Sequence, residues 1–244
     1  MENKILDVKI DNLYLAEVLE SIELFLESNK QHYIVTTNPE FIVHAQHDEE
    51  FKDILNKANI SIADGMGIKF AAKRYGWKLK NRITGVDLMM SIAGIAEQKK
   101  KTIYLLGSKK GVPSAAAFQL ILKYPNLKIV GAETGYRSWH RHIKEDKLVK
   151  MINRKKPDIL FVALGHGKQE KWIARNLSKL NSVKLAMGVG GSFDYISGQV
   201  KRAPELVRKF GFEWLYRLIR QPWRLPRILT AVVRFSLLVM RDKK

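Results

Sequence analysis

Five short stretches of this chain collect hydroxyls, amides, carboxylates and glycines at spacings that suit phosphate binding or proton transfer. Ile60-Ser61-Ile62-Ala63-Asp64-Gly65-Met66-Gly67 delivers one aspartate from a β-rich run into a glycine-flanked turn. Two glycines beside one carboxylate admit close approach of a ligand and suit a general base, while the same Asp64 could cap a helix starting near Met66. Thr36-Thr37-Asn38-Pro39-Glu40 packs two hydroxyls, an amide and a carboxylate into one turn. It reads equally as a polar pocket wall and as an N-cap Asn38 followed by Pro39 at the first helical position. Leu105-Leu106-Gly107-Ser108 and Ala163-Leu164-Gly165-His166-Gly167-Lys168-Gln169-Glu170 each end a strand in glycine and open a helix. That geometry cradles a diphosphate on free N–H groups, although neither stretch is a P-loop or a complete G-x-G-x-x-G. Gly188-Val189-Gly190-Gly191-Ser192-Phe193-Asp194 is the densest glycine cluster. Its Asp194 is placed to accept hydrogen bonds from a base or ribose, or to cap a tight turn.

Metal chemistry finds little support in these residue types. No Asp-x-Asp pair and no His-Glu-x-x-His occurs, and His140 and His142 flank Arg141 in what reads as a solvated basic loop, so no metal and no cofactor are expected. The complete lack of cysteine excludes disulfides, thiolate zinc, iron–sulfur clusters and a cysteine nucleophile. The start, Met1-Glu2-Asn3-Lys4-Ile5, has no apolar run behind it and reads as no secretory signal. The longest nearly apolar stretch, Ile228 to Met240, is interrupted by Arg234 and falls short of the roughly 18–20 residues of a membrane span.

These residues need a scaffold, and the hydrophobic pattern supplies one. Strands are expected at Ile5–Ile10, Tyr33–Thr36, Ile60–Ala63, Thr102–Leu106, Lys128–Val130, Ile159–Leu164 and Lys184–Val189. Helical spacing runs over Leu15–Leu26, Phe41–Leu55, Gly67–Tyr75, Val86–Gln98, Ala115–Tyr124, Lys144–Asn153 and Glu170–Leu180. Strict alternation predicts an α/β fold, a Rossmann-like parallel sheet over residues 1–200 with helices on both faces. From Lys201 the pattern turns to arginine and aromatic residues punctuated by Pro204, Pro222 and Pro226, predicting a C-terminal helical appendage of two or three short helices bent near Gln221–Pro226.

The chain is 244 residues with 43 Lys/Arg against 24 Asp/Glu, long and apolar enough for a real core and excluded from global disorder. Its charge of +19 is uneven, because residues 201–244 hold 12 Lys/Arg and 3 Asp/Glu, a net +9. A basic segment carrying Phe210, Phe212, Trp214, Leu215, Tyr216 and Trp223 has two natural partners, nucleic-acid phosphate and an anionic membrane surface.

Taken in order, the motifs resemble the WecG/TagA/CpsF glycosyltransferases, glycosyltransferase family 26. The resemblance is carried by Thr36 to Glu40, Asp64 to Gly67, Arg82-Ile83-Thr84-Gly85-Val86-Asp87-Leu88, Tyr104 to Gly107, Gly131 to Tyr136, Leu164 to Trp172, Gly188 to Asp194, Lys201-Arg202-Ala203-Pro204 and Trp214 to Leu218. The chain departs from the family in having Gly167 where a proline usually precedes Lys-Gln-Glu. The resemblance implies a cytoplasmic, metal-independent, inverting enzyme, peripheral on the inner face of the plasma membrane, that moves a sugar from a UDP-sugar to a polyprenyl-diphosphate-linked saccharide. In its best-known branch the sugar is N-acetylmannosamine, the acceptor is undecaprenyl-diphosphate-linked N-acetylglucosamine, and the product starts the wall teichoic acid linkage unit; other branches use other UDP-sugars. Carried over by motif, Asp64 resembles the general base, Thr36, Asn38 and Arg82 line the pocket, and Gly107, Tyr136, Gln169, Gly190, Gly191 and Asp194 stand among the substrate contacts. The basic tail resembles a membrane-docking segment that closes the site, with Arg217, Arg220 and Arg224 facing the diphosphate. A homo-oligomer is compatible with this reading. A nucleic-acid binding protein is the rival from another class, favoured by a pI near 10 but without a recognition motif.

Overall fold

A computed structural model of the protein describes residues 3–134 and 145–242. Its centre is a six-stranded, all-parallel sheet in the order β4-β3-β8-β7-β5-β6. The strands are β3 (His32–Thr37), β4 (Ile60–Ala63), β5 (Thr102–Gly107), β6 (Lys128–Glu133), β7 (Ile159–Ala163) and β8 (Leu185–Gly188), while β1 (Lys4–Ile5) and β2 (Val8–Lys9) form a separate hairpin. The helices are α1 (Leu15–Glu27), α2 (Pro39–Ala45), α3 (Glu49–Lys57), α4 (Met66–Arg74), α5 (Gly85–Gln98), α6 (Val112–Lys123), α7 (Glu145–Lys155), α8 (Lys168–Asn176) and α9 (Ser192–Ile196). Beyond them come α10 (Glu205–Lys209), α11 (Glu213–Arg220), α12 (Leu225–Leu229) and α13 (Phe235–Arg241).

The central strands are buried on both faces because their alternate residues feed different cores. On β7, Ile159, Phe161 and Ala163 pack with α1, α5 and α6, whereas Leu160 and Val162 pack with α7 and α8. Continuous apolar runs such as Ile159-Leu160-Phe161-Val162-Ala163 are the signature of a parallel strand covered by helices on each side. The chain leaves the carboxyl end of β3 into α2 on one face of the sheet and that of β8 into α9 on the other, so the connections diverge between these two neighbouring strands. The crevice beyond such a switch point is where doubly wound sheets bind ligands.

Three sequence expectations need correction. Ile5–Ile10 is no strand of the sheet but a tight hairpin, because Leu6 and Asp7 both take positive φ (49° and 62°) and fold the run back on itself. The single helix expected over Phe41–Leu55 is two, since the first ends at Ala45 and Asp48 accepts the Phe51 N–H at 2.9 Å to cap a second. The tail is more broken than expected, with a 3₁₀ turn at Pro222–Arg224 and a π turn at Thr230–Arg234 between its helices.

The end of the tail is built into the body. Phe235 and Val239 on α13 are fully buried with Phe41, Ile68, Ala71 and Ala72, and Tyr75 donates its hydroxyl hydrogen bond to Asp242. Phe235→Ala is therefore expected to destabilise the whole protein by about 3–5 kcal/mol, read as a lower urea midpoint with unchanged slope.

Candidate active site

Asp64 reaches the site because β4 is one residue too short to hold it. Ala63 pairs with Thr37 in register, the Asp64 N–H donates to the Thr37 carbonyl at 2.8 Å, and the chain then turns at Gly65 with φ +101°, a conformation that favours glycine. Gly67 is needed for a different reason: a Cβ there would lie 2.6 Å from Pro39 Cγ, so α4 could not sit against the start of α2. Asp64 does not cap α4, whose N-cap is Gly65 without a side-chain bond. Its carboxylate instead accepts the Gly85 N–H at 3.4 Å, at the first turn of α5, with Thr84 as that helix's N-cap. Burial lifts the Asp64 carboxyl to about 6, an effect opposed by the Arg217 charge, reinforced by Glu213 and opposed again by Gly85 and Arg82.

Asp64 opens into a cavity of about 340 Å³ over the carboxyl ends of β3, β4, β5, β7 and β8. Its floor is made of two glycine turns tied together from beneath. The buried Gln169 accepts the Gly190 N–H at 3.0 Å and donates to Glu170 at 2.7 Å, and Glu170 accepts the Gly167 N–H at 2.9 Å. Burial holds the Glu170 carboxyl up at about 7. Gly167 has φ +73°, which proline's ring forbids, so the proline expected here from the resemblance could not make this backbone shape. On the opposite wall Asp194 accepts from the Ser108 hydroxyl at 3.1 Å, which joins the β8 turn to the β5 turn. Asn38 is both cap and lining residue, accepting the Phe41 N–H at 3.0 Å while facing the cavity beside Thr36.

The remaining wall is cationic. Arg217 lies 4.9 Å over the Tyr195 ring and donates to Glu213 at 3.0 Å, with its buried Nε left without a protein partner. Arg224 stands beside it and donates to the Gln221 side chain. Burial, together with the Arg217 and Arg227 charges, pushes the Arg224 guanidinium below its ordinary value, a strain that an anion in the cavity would relieve. Arg202 is held by Asp87 (2.5 and 2.7 Å) and Thr84 (3.0 Å), and Arg227 by Glu40 at 2.8 Å.

The structure gathers Thr36, Asn38, Asp64, Gln169, Gly190, Gly191, Asp194, Arg217 and Arg224 around this one cavity. Arg82 lies on a second, smaller cavity that shares Asp64 with it, and donates to the Arg208 carbonyl at 3.2 Å. Gly107 does not line either cavity, and a Cβ there would come within 2.5 Å of the Ala163 backbone, so the close approach of β5 and β7 requires glycine at this position. Arg220 is exposed over the Tyr216 ring, away from both cavities. Tyr136, like His140 and His142, lies outside the described residues. Sequence reasoning missed Arg202, Arg227, Tyr195, Lys109 and His166 as lining residues. Arg202 sits in the quoted Lys-Arg-Ala-Pro run, but nothing in its spacing shows that Asp87 on α5 would hold it toward the cavity. Among the described residues, no group of three or more His, Asp or Glu side chains is arranged to hold a metal ion, and no helix is long and apolar enough to cross a membrane.

A doubly wound parallel sheet whose switch point carries glycine turns, a carboxylate of raised pKa and an arginine wall defines a Rossmann-like enzyme site for an anionic ligand. The profile of the glycosyl transferase WecG/TagA/CpsF family matches residues 3–244, and the chain belongs to that family. It is a glycosyltransferase. The chain is 36% identical over 236 residues to the N-acetylglucosaminyldiphosphoundecaprenol N-acetyl-beta-D-mannosaminyltransferase of Bacillus subtilis, covering 93% of this chain and 89% of that one. It is 34% identical over 230 residues to the enzyme of the same name from Staphylococcus aureus strain MRSA252, covering 92% and 87%.

Proposed function

We propose that the protein transfers N-acetylmannosamine from a UDP-sugar to undecaprenyl-diphosphate-linked N-acetylglucosamine, with inversion and without a metal ion. The names of its Bacillus and Staphylococcus relatives supply the sugar and the acceptor. The observation that carries the chemistry is the partly buried carboxylate of Asp64, raised to about 6 and set where glycine turns and arginines meet on both cavities. In this reading Asp64 takes the proton of the acceptor hydroxyl as its oxygen attacks the anomeric carbon from the face opposite the leaving UDP. The bond from that carbon to the diphosphate breaks and its electron pair departs with UDP. Arg217 stabilises the charge that grows on the diphosphate, with backbone N–H groups of the two glycine turns other than those of Gly167 and Gly190, which Glu170 and Gln169 already hold.

The acceptor is a lipid, and residues 201–244 bring the site to it from the cytoplasmic side of the membrane. Support comes from the exposed aromatics of this segment: Phe210, Ile219 and Trp223 are each over 70% exposed amid basic residues. Flotation with anionic but not neutral liposomes tests this docking.

The deciding experiment is a screen of UDP-sugars for UDP release that depends on the lipid-linked acceptor, in which UDP-N-acetylmannosamine gives the highest rate. A base must be ionised to act, and the Asp64 carboxyl stands at about 6. Accordingly kcat/KM is expected to rise with pH through about pH 6, level off near neutrality, and fall away in acid as Asp64 takes up its proton. Chelation supplies a separate check. EDTA is expected to leave turnover almost unchanged, and inhibition reversed by Mg²⁺ or Mn²⁺ would contradict an arginine-based stabilisation of the diphosphate.

A further inference from the structure

Asp64 has cavities on two sides. Besides the 340 Å³ cavity over the glycine turns, a second of about 220 Å³ opens between the start of α2, the start of α4 and the tail. The two share Asn38, Asp64, Glu213 and the arginines 217, 224 and 227, and differ in everything else. The larger alone has the glycine turns and Asp194, which suit a nucleotide; the smaller alone has Arg82, Met66, Trp214, Ile228 and Ala231. Its lining therefore changes from cationic at the Asp64 end to apolar along α11, α12 and the π turn. That apolar side continues into Leu225, Leu229 and Val232, whose side chains are exposed on the same helical stretch.

Two of its guanidinium groups are not neutralised by carboxylates in the hydrogen bonds they make. Arg82 donates to a backbone carbonyl and Arg224 to a side-chain amide, whereas Arg217 and Arg227 are paired with Glu213 and Glu40. A half-cationic, half-apolar slot fits an amphiphile with a phosphorylated head.

We propose that the smaller cavity is the acceptor site, in which Arg82 and Arg224 bind the diphosphate of a polyprenyl-linked sugar and Trp214, Ile228 and Ala231 carry the first isoprenyl units toward the membrane. The inference rests on the glycosyl-transfer reading above and adds the division of labour: nucleotide on the glycine turns, lipid on the tail side, Asp64 between them. The acceptor hydroxyl arrives at Asp64 from the tail side, gives it the proton, and forms the new bond as the bond to UDP breaks. Arg217, on both walls, screens the two diphosphates from each other.

The test uses Arg82→Gln and Ala231→Trp in the full-length protein, with a short-chain polyprenyl-diphosphate-linked N-acetylglucosamine as acceptor and calorimetric UDP binding as the second readout. Each variant is expected to raise the acceptor KM about tenfold or more while the UDP Kd moves less than about twofold, the loss of one charge-assisted contact or of the space for one isoprenyl unit. A UDP Kd weakened tenfold with an unchanged acceptor KM would assign the cavity to the nucleotide and overturn the proposal, as would variants that change neither. If Ala231→Trp folds poorly by circular dichroism, Arg82→Gln, on a loop outside the core helices, decides alone. A wild-type protein that releases no UDP in response to the lipid acceptor would instead refute the glycosyl-transfer reading, before any variant is compared.

Discussion

Asp64→Asn is expected to remove about 10²–10⁴-fold of the turnover while leaving the fold intact, the usual contribution of a positioned general base. Asparagine nearly matches aspartate in shape, and its side-chain oxygen can still accept the Gly85 N–H. What it cannot do is accept the proton of an attacking hydroxyl. Because burial makes the carboxylate costly in this site, the neutral amide is also expected to be at least as stable as the parent in a thermal melt. The rate loss and the stability therefore move in opposite directions. A variant turning over within threefold of the parent would show that Asp64 only organises the α5 N-terminus.

Arg217→Ala carries the second-largest expected effect and acts in two ways. Removing a preorganised cation from the diphosphate wall is expected to cost about 10²–10³ in kcat with a soluble acceptor analogue. The Arg217 charge also holds the Asp64 carboxyl below the value that burial alone would give it, so its loss is expected to move the acid limb of the kcat/KM profile to higher pH. Glu213→Gln, which removes a neighbouring negative charge, is expected to move that limb the other way. Both shifts would be absent if Arg217 did no more than pack on Tyr195. Point substitution is the sharper tool here, since truncation before Lys201 also strips Phe235 and Val239 from the core and is expected to leave poorly folded protein.

The exposed Arg220 provides a contrast within the same helix. It lies on neither cavity, so Arg220→Ala should keep turnover on a soluble acceptor. Grouping it with Arg217 and Arg224 was natural in sequence, where the three are evenly spread through one basic stretch. Which of them faces inward depends on the break at Gln221, whose extended backbone (φ −139°, ψ 71°) ends α11 and swings Arg224 back beside Arg217.

The strand ends were readable because a buried parallel strand must be a run of apolar residues, and glycine or a small polar residue has to follow where the chain turns above the sheet. Tyr33 to Thr36, Ile60 to Ala63 and Ile159 to Leu164 announced themselves in this way, and with them the placement of Thr36, Asp64 and the Gly165 turn. The helix break at Asp48 and the Leu6–Asp7 hairpin turn were less legible. Both depend on short-range backbone choices that a hydrophobic pattern averages over.

Local chemistry in the sequence thus determined that this is an alternating α/β enzyme, that candidate functional groups cluster on strand-end loops, and that one aspartate stands apart as the candidate base. Only the tertiary structure decided the strand order, which brings β3 beside β8 and sets Asp64 opposite the Gly190 turn. It alone decided that Asp87 holds Arg202 and Glu40 holds Arg227, contacts between residues 115 and 187 positions apart. It also decided that the last helix of the basic tail is core. The physical reason is the range of the forces involved: propensity and capping act over one turn of chain and are written in neighbouring residues. Cavities, ion pairs and the desolvation that raises the Asp64 carboxyl arise only when distant segments exclude water from the same place.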